Sequence, residues 1–127
     1  MKKEETFTLK ARMESFRFAL RGLSALFLNE HNSRIHLLAT VLAIITGTVL
    51  GINRFEWCII SVVIGFVFFA ELINTALESL ADATHSEIND SVRKAKDYSA
   101  AAVLVAAIVS VVAGCLIFIP RILDLIN

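Results

Sequence analysis

Three long apolar segments dominate this sequence, at residues 35–52, 57–81 and 98–119. A helix that crosses the hydrocarbon core of a bilayer needs about 20 mainly apolar residues, which is the length of these segments. Inside a bilayer the backbone must satisfy its own hydrogen bonds, so separate short segments cross it as helices. The pattern predicts an all-α integral membrane protein with three membrane helices, built as a single membrane-embedded domain over residues 1–127.

The segment before the first apolar run, residues 6–30, has a different pattern. Apolar residues recur there at helical spacing, opposite a face rich in charge. The apolar set is Phe7, Met13, Phe16, Leu20, Leu23 and Phe27, and the charged set is Lys10, Arg12, Glu14, Arg17 and Arg21. This pattern is typical of an amphipathic helix that lies on a membrane surface, and it predicts such a helix here.

Basic residues are distributed unevenly between the two sides of the predicted spans. Ten Lys and Arg residues lie in residues 1–34 and 83–97, whereas only Arg54 and Arg121 lie on the other side. Because cytoplasmic flanks carry the excess of Lys and Arg, this distribution predicts a cytoplasmic amino terminus and a cytoplasmic 83–97 segment. ATP is present in that compartment. We expect no nucleic-acid partner for this chain, whose formal net charge is zero.

The second apolar segment ends in AELINTALESLAD, residues 70–82, which contains three acids and an amide. At about 100° per residue, Glu71, Asn74, Glu78 and Asp82 project within roughly 80° of one another and share one helix face. We call these four residues the polar stripe. A charge that faces lipid costs several kcal/mol, so this face is expected to contact protein, water or a cation. Glu71 lies roughly 15 Å along the helix from Ala81 and cannot reach the headgroups.

Glu30, Lys96 and Asp97 are expected at the same level of the membrane as the stripe. A carboxylate-bridged di-iron site would need Glu-x-x-His, which the stripe lacks. A cation pathway remains an alternative, although residues 57–70 offer only Ser61 as a polar step toward the far side. Phosphoryl transfer needs carboxylates for Mg²⁺, a cation for the phosphates and a base near the acceptor, and this set supplies them. His31, His36 and His85 are predicted to be interfacial rather than catalytic.

The residues also carry a family resemblance. ELINTALESLAD, preceded by LNE at residues 28–30 and followed by KAKDYSAAAV, resembles the signature of the small prokaryotic membrane lipid kinases, the diacylglycerol kinase and undecaprenol kinase family. The resemblance implies an ATP- and Mg²⁺-dependent enzyme that transfers the γ-phosphate to the hydroxyl of a membrane lipid alcohol. It also implies a homotrimer in the bacterial cytoplasmic membrane, with active sites between protomers.

Carried over position by position, the resemblance implies a role for each matching residue. Glu71 would be the general base, and Glu30 and Glu78 would hold Mg²⁺. The implied nucleotide-binding residues are Arg12, Phe18, Glu30, Glu78, Asp82, Glu87, Asn89, Lys96 and Asp97. The implied substrate-positioning residues are Glu71, Asn74, Arg34 and Ala100.

The chain departs from the diacylglycerol branch of the family at two of these positions. That branch has a tyrosine near Phe18 and a histidine near Asn89, both associated with nucleotide contact. FEW at residues 55–57 and FIPR at residues 118–121 resemble instead the branch that phosphorylates undecaprenol. The resemblance therefore favours undecaprenol as the acceptor, with diacylglycerol next.

Overall fold

Four helices make up the computed structural model, which describes residues 8–84 and 89–126. They are α1 (Leu9–Asn29), α2 (His31–Val49), α3 (Arg54–Thr84) and α4 (Asp90–Ile126). By length and composition, α2, α3 and α4 can each cross a membrane. The predicted all-α fold with three candidate spans is confirmed. The amphipathic, surface-lying character of α1 stays a prediction, as does the trimer.

The helices extend beyond the predicted spans at several ends. α2 begins at His31, directly after Glu30, whereas the apolar pattern placed its start at residue 35. α4 begins at Asp90 and continues through Pro120, where the sequence predicted that the third span would end. The apolar pattern marks only the part of a helix that needs lipid, while charged flanks remain helical in water. The predicted span 98–119 lies within α4, which continues past Pro120 because one missing N–H does not end this helix.

α2 ends at a glycine that the backbone requires. Gly51 adopts φ +60°, the left-handed conformation that only glycine adopts at little cost. Its N–H donates to Thr48 O at 3.3 Å, and the next N–H, from Ile52, donates to Gly47 O at 3.1 Å. These two bonds form a Schellman motif, which satisfies the last carbonyls of α2. The chain then turns into α3 within a few residues.

A clamp of polar contacts closes this end of the bundle. Asn53 and Glu56 cap the start of α3 reciprocally: Asn53 N donates to Glu56 Oε2 at 2.7 Å, and Glu56 N donates to Asn53 Oδ1 at 3.0 Å. Arg121 of α4 donates to both carboxylate oxygens of Glu56, at 3.2 and 2.6 Å, and to Gly51 O at 3.3 Å. We call Arg121, Glu56, Asn53 and Gly51 the clamp. It joins the α2–α3 turn to α4.

α3 and α4 share the most extensive interface in the molecule. Small and branched residues pack there, with Ala106 of α4 fully buried against Val67 and Ala70 of α3. Ser110 of α4 donates to its own helix at Ala106 O and to α3 at Val63 O. The interface fixes α3 against α4, and it thereby fixes the stripe at one end of α3.

The other end of the bundle holds α1 and the start of α2. Leu26 of α1 is buried, and Phe27 meets Phe68 of α3 edge to face, with ring centroids 5.4 Å apart. Glu30 is extended and separates α1 from α2. Arg34 donates from Nε to Phe27 O at 3.1 Å and from its terminal nitrogen to Leu28 O. These bonds cap the carbonyl end of α1 and hold Glu30 beside α3.

Candidate active site

The polar stripe of α3 passes from a buried to an exposed environment. Glu71 is 2% exposed, Asn74 and Glu78 are partly buried, and the side chain of Asp82 is 72% exposed. Asn74 Nδ2 donates to Glu78 Oε1 at 3.2 Å, which is the contact expected of residues four apart on one helix face. The stripe therefore lies on one face of a continuous helix, and Glu71 is its deepest member.

Glu71 is held among charged and polar groups from three parts of the chain. His36 Nε2 of α2 lies 3.2 Å from Glu71 Oε1. Two further acids act on Glu71 through their negative charge. Glu30 lies between α1 and α2, and Glu78 lies on the same face of α3, about two turns further along. An acid that is almost fully buried loses its hydration, and two further acids nearby repel its negative charge. The arrangement is electrostatically costly in the absence of a cation.

Several buried polar atoms in this region lack a hydrogen-bond partner in the described chain. They are Glu71 Oε1, Asn74 Oδ1 and the hydroxyls of Ser33 and Thr75. Most buried polar groups in folded proteins are hydrogen-bonded, so a cluster of unsatisfied ones calls for an explanation. Carboxylate and amide oxygens can coordinate Mg²⁺ and can accept a hydrogen bond from a hydroxyl. The free oxygens of Glu71 and Asn74 thus fit a site that takes such groups from outside the chain.

The predicted Mg²⁺ ligands, Glu30 and Glu78, come from different elements, and the charge of each acts on Glu71. Within residues 8–84 and 89–126, no three His, Cys, Asp or Glu side chains converge in the geometry of a metal site. Mg²⁺ is commonly held by one or two carboxylates together with water and substrate phosphates. The pair of glutamates therefore suits a metal that arrives with a phosphate-bearing substrate.

Lys96 of α4 lies at the solvent-exposed end of the stripe, beside Asp82. Its Nζ is 2.9 Å from Asp82 Oδ1, and the charge of Glu78 also acts on it. Both partners are substantially exposed, at 40% for Lys96 and 72% for Asp82, so solvent weakens their attraction. A lysine held this loosely can turn toward another anion. The structure therefore brings the predicted phosphate-binding lysine to Asp82, a predicted nucleotide-binding acid of the stripe.

Most of the remaining predicted residues lie on α1 or at the start of α4. Phe18 is exposed on α1 with Arg21 above its ring, 5.7 Å from the centroid, and Arg12 also lies on α1. Asn89 Oδ1 accepts a hydrogen bond from Ser91 N at 2.8 Å and so caps α4. Asp97 and Ala100 are exposed on α4. Glu87 lies outside the described residues.

Arg34 has a structural contact in addition to its predicted role. Its guanidinium is engaged with the carbonyls of Phe27 and Leu28, at the carbonyl end of α1. Positively charged side chains stabilise helix ends of this polarity. Arg34 therefore helps to place Glu30, while its role in positioning substrate stays a prediction.

An apolar cleft of about 280 Å³ begins at His36 and runs between α2, α3 and α4. Its walls are largely small or aliphatic, including Ala39 and Ala43 of α2 and Gly114 of α4. From His36 to Ala43 it follows α2 for about 10 Å. The deepest acid of the stripe thus lies beside a space lined by hydrocarbon.

The contact of His36 with Glu71 was missed by the sequence interpretation, which treated His36 as an interfacial residue. The two residues lie on different helices, so no spacing in the sequence relates them. His36 precedes a long apolar run, and a histidine at that place is usually explained by the membrane interface. The contact follows from the packing of α2 on α3.

Three candidate membrane helices and an acidic site at one end of them define a polytopic membrane protein with a polar site inside the bundle. The chain belongs to the prokaryotic diacylglycerol kinase family, whose family model matches residues 17–118.

Three relatives bear the same class of name. An undecaprenol kinase of Bacillus subtilis is 36% identical over 108 residues, covering 85% of this chain and 88% of that protein. A diacylglycerol kinase of Synechocystis is 37% identical over 112 residues, covering 87% of this chain and 64% of the relative. The diacylglycerol kinase of Escherichia coli K12 is 30% identical over 100 residues, 79% of this chain and 82% of that protein.

The family and the named relatives make this chain a lipid kinase. The resemblance identified from ELINTALESLAD is confirmed. The alternative of a cation-binding or cation-conducting protein is disfavoured, since the relatives are named as kinases. Membrane-spanning helices in a prokaryotic family of this kind indicate the bacterial inner membrane, and a kinase requires a nucleotide phosphate donor.

Proposed function

We propose that this protein transfers the γ-phosphate of ATP to the hydroxyl of a membrane lipid alcohol, with undecaprenol as the preferred acceptor and Mg²⁺ as the metal. The observation that carries the proposal is the buried Glu71, whose Oε1 makes no well-aligned hydrogen bond in the described chain and lies 3.2 Å from His36, a residue that lines the apolar cleft. A base for a lipid hydroxyl must lie at the depth that the hydroxyl reaches, next to space for its hydrocarbon. Two observations support Glu71 in this role: it lies roughly 15 Å along α3 from Ala81, and it contacts His36, which lines the cleft.

In the proposed reaction, Glu71 accepts the proton of the lipid hydroxyl as the hydroxyl oxygen attacks the γ-phosphorus. The new phosphorus–oxygen bond forms while the bond from the γ-phosphorus to the bridging oxygen breaks, and ADP leaves. Asn74 holds Glu78 in position through its amide N–H and presents Oδ1 to the reacting groups. Lys96 turns from Asp82 toward the phosphates and balances the charge that spreads over them.

Glu30 and Glu78 are the residues that would hold Mg²⁺. Bound Mg²⁺ would neutralise phosphate charge and so favour attack by the lipid oxygen. The support is the donor set, since two carboxylates from different elements are near enough to the proposed base for their charges to act on it. The nucleotide-binding roles of Asp82, Asp97, Asn89 and Glu87 belong to the same proposal, as do those of Arg12 and Phe18 on α1.

We also propose that the sites form between protomers of a homotrimer. The support for this part is the family resemblance, together with the position of Arg12, about 27 Å along α1 from Glu30. In the proposed arrangement, the start of α1 from a second copy completes the nucleotide site that Glu30 of the first copy begins. Light scattering of the purified protein in detergent would give the mass of three chains, while a monomeric mass with full activity would contradict this part of the proposal.

The undecaprenol preference rests on the likeness of FEW and FIPR to the undecaprenol-phosphorylating branch and on the Bacillus relative. The identity to that relative, 36%, is close to the 37% for the Synechocystis diacylglycerol kinase, so overall identity does not rank the acceptors. We propose further that the amino terminus and the active site face the cytoplasm, because ten Lys and Arg residues lie on that side against two.

The test is transfer of labelled γ-phosphate from ATP in mixed micelles that contain either undecaprenol or diacylglycerol. We expect labelled lipid with both, a higher rate with undecaprenol, and no transfer once Mg²⁺ is chelated. A folded preparation that labels neither lipid would overturn the lipid kinase proposal. A higher rate with diacylglycerol would overturn the acceptor preference alone, and unchanged transfer after chelation would overturn the metal.

A further inference from the structure

His36 reaches Glu71 from a neighbouring helix. It lies on α2 two turns from Glu30, and its side chain is 21% exposed, against 3% for the side chain of Glu71. Its Nε2 is 3.2 Å from Glu71 Oε1, a hydrogen-bonding distance, but Oε1 makes no well-aligned hydrogen bond in the described chain. The pair is therefore close in distance and poorly aligned.

The other polar groups around Glu71 do not hold its carboxylate. Asn74, on the same face of α3, directs its amide N–H to Glu78 instead, at 3.2 Å. The hydroxyl of Thr75 is buried and has no hydrogen-bond partner in the part of the chain that the structure describes. Glu30 and Glu78 carry negative charge and repel Glu71. Among the groups described around this acid, His36 is the one that offers a donor from across the site.

Poor alignment is common in active sites that hold no substrate. Hydrogen bonds to a catalytic base are often long or bent in the empty enzyme and tighten when the substrate binds. His36 also lines the apolar cleft, so a lipid chain that entered the cleft would press on one side of the imidazole. A small rotation of the ring would then bring Nε2 into line with Oε1.

We propose that His36 is a positioning residue that fixes the carboxylate of Glu71 for the reaction. This inference rests on the proposed lipid kinase function and on Glu71 as its base. With Nε2–H donating to Oε1, the second oxygen, Oε2, is the one that accepts the proton of the lipid hydroxyl. A carboxylate held in this way is more often in the rotamer that can react. His36 therefore acts on the rate of the chemical step rather than on ATP binding.

The test compares His36→Ala, His36→Gln and His31→Ala, with kcat, KM for ATP and thermal unfolding measured in the same mixed micelles. His31 is a matched control, since it is a histidine on the same helix that is exposed at the first residue of α2. We expect His36→Ala to lower kcat about 10- to 100-fold, with KM for ATP within about twofold of the wild type. His36→Gln should recover most of kcat, because its amide N–H can donate to the same oxygen.

Three results would overturn the inference. If His36→Ala lowers the unfolding temperature but leaves kcat per folded protein unchanged, His36 only stabilises the bundle. If His36→Gln is as slow as His36→Ala, donation to Glu71 is not what the imidazole supplies. If the His31 control loses as much kcat as His36→Ala, the effect belongs to the helix and not to the contact. A wild type that phosphorylates neither lipid would instead remove the proposed function on which the inference rests.

Discussion

α3 carries an acid of the clamp near its start and the acids of the stripe in its later half. The two sets differ in how well their carboxylates are hydrogen-bonded. At the clamp, Glu56 receives two hydrogen bonds from Arg121, at 3.2 and 2.6 Å, and a third from Asn53 N at 2.7 Å. At the stripe, Glu71 is more deeply buried, yet within the described residues its Oε1 makes no well-aligned hydrogen bond, although His36 Nε2 lies 3.2 Å away. Glu71, the acid with the larger cost of desolvation, is therefore the one with fewer hydrogen bonds.

This difference separates structural charge from functional charge. A paired and hydrogen-bonded carboxylate such as Glu56 is stable as it stands, and its removal leaves Arg121 without its partner. A carboxylate such as Glu71 costs free energy in the empty protein and can lower that cost by binding something. The comparison predicts that substitutions at the stripe change catalysis more than stability, and that substitutions at the clamp do the reverse.

The largest expected effect is on catalysis at Glu71. Glu71→Gln keeps the shape of the side chain and removes the base, so the rate of lipid phosphorylation should fall about 10²- to 10⁴-fold. The thermal unfolding temperature should stay equal or rise, because a buried charge is removed. Asp124→Asn, an exposed acid near the far end of α4, is the control and should keep wild-type activity. An active Glu71→Gln protein would remove Glu71 as the base.

The next effect is on the use of ATP at Lys96. Lys96→Met keeps the length of the side chain but removes the charge that faces Asp82 and Glu78. We expect kcat/KM for ATP to fall about tenfold or more, since a phosphate contact is lost in the transition state. Lys94→Met, an exposed lysine two residues earlier, should have no such effect. Equal losses in the two variants would indicate general surface charge rather than a specific contact.

At the clamp the expected effect is on stability. Arg121→Gln breaks the paired hydrogen bonds to Glu56 and the bond to Gly51 O. We expect the unfolding temperature in detergent to fall by roughly 2–6 °C, with kcat per folded protein unchanged. Arg54→Gln, an exposed arginine at the start of α3, should leave both quantities near wild type. A loss of kcat at Arg121 without loss of stability would break the comparison.

The smallest expected effect is at the turn that carries the clamp. Gly51→Ala forces a side chain into φ +60°, and after the lower entropy of the unfolded chain is taken into account the net loss of folding free energy should be about 0.5–1 kcal/mol. Gly22→Ala, within α1 and with open space around its Cα, should be neutral or stabilising. Opposite signs in chemical or thermal unfolding are the expected result. Equal stability of the two variants would show that the left-handed turn is not required.

The fold was largely predictable from hydropathy, because long apolar segments mark the residues that contact lipid. The three spans follow from the apolar segments, and the stripe follows from the spacing of Glu71, Asn74 and Glu78 on one helix. The ends of the helices were less predictable, since charged residues such as Lys94 and Asp97 remain helical without contributing to the apolar pattern. α4 likewise continues past Pro120, because a single proline does not end this helix.

The contacts that give each end its character were not predictable from spacing. Arg121 and Glu56 are 65 residues apart, and His36 meets Glu71 across two helices. Helical spacing relates residues within one helix only, so both pairs depend on how α2, α3 and α4 pack. The reciprocal cap of Asn53 and Glu56 is different: Asn-x-x-Glu before an apolar run is a helix-start signal that a closer reading of NRFE could have found.

One paired measurement tests the account most directly. Glu71→Gln and Arg121→Gln are purified in parallel, and lipid phosphorylation per folded protein is measured beside the thermal unfolding temperature of each. A crossed result is expected, with Glu71→Gln stable and inactive and Arg121→Gln active and less stable. If Glu71→Gln is active, or if both variants lose stability and activity together, the unsatisfied acids of the stripe are not the active site and the account is contradicted.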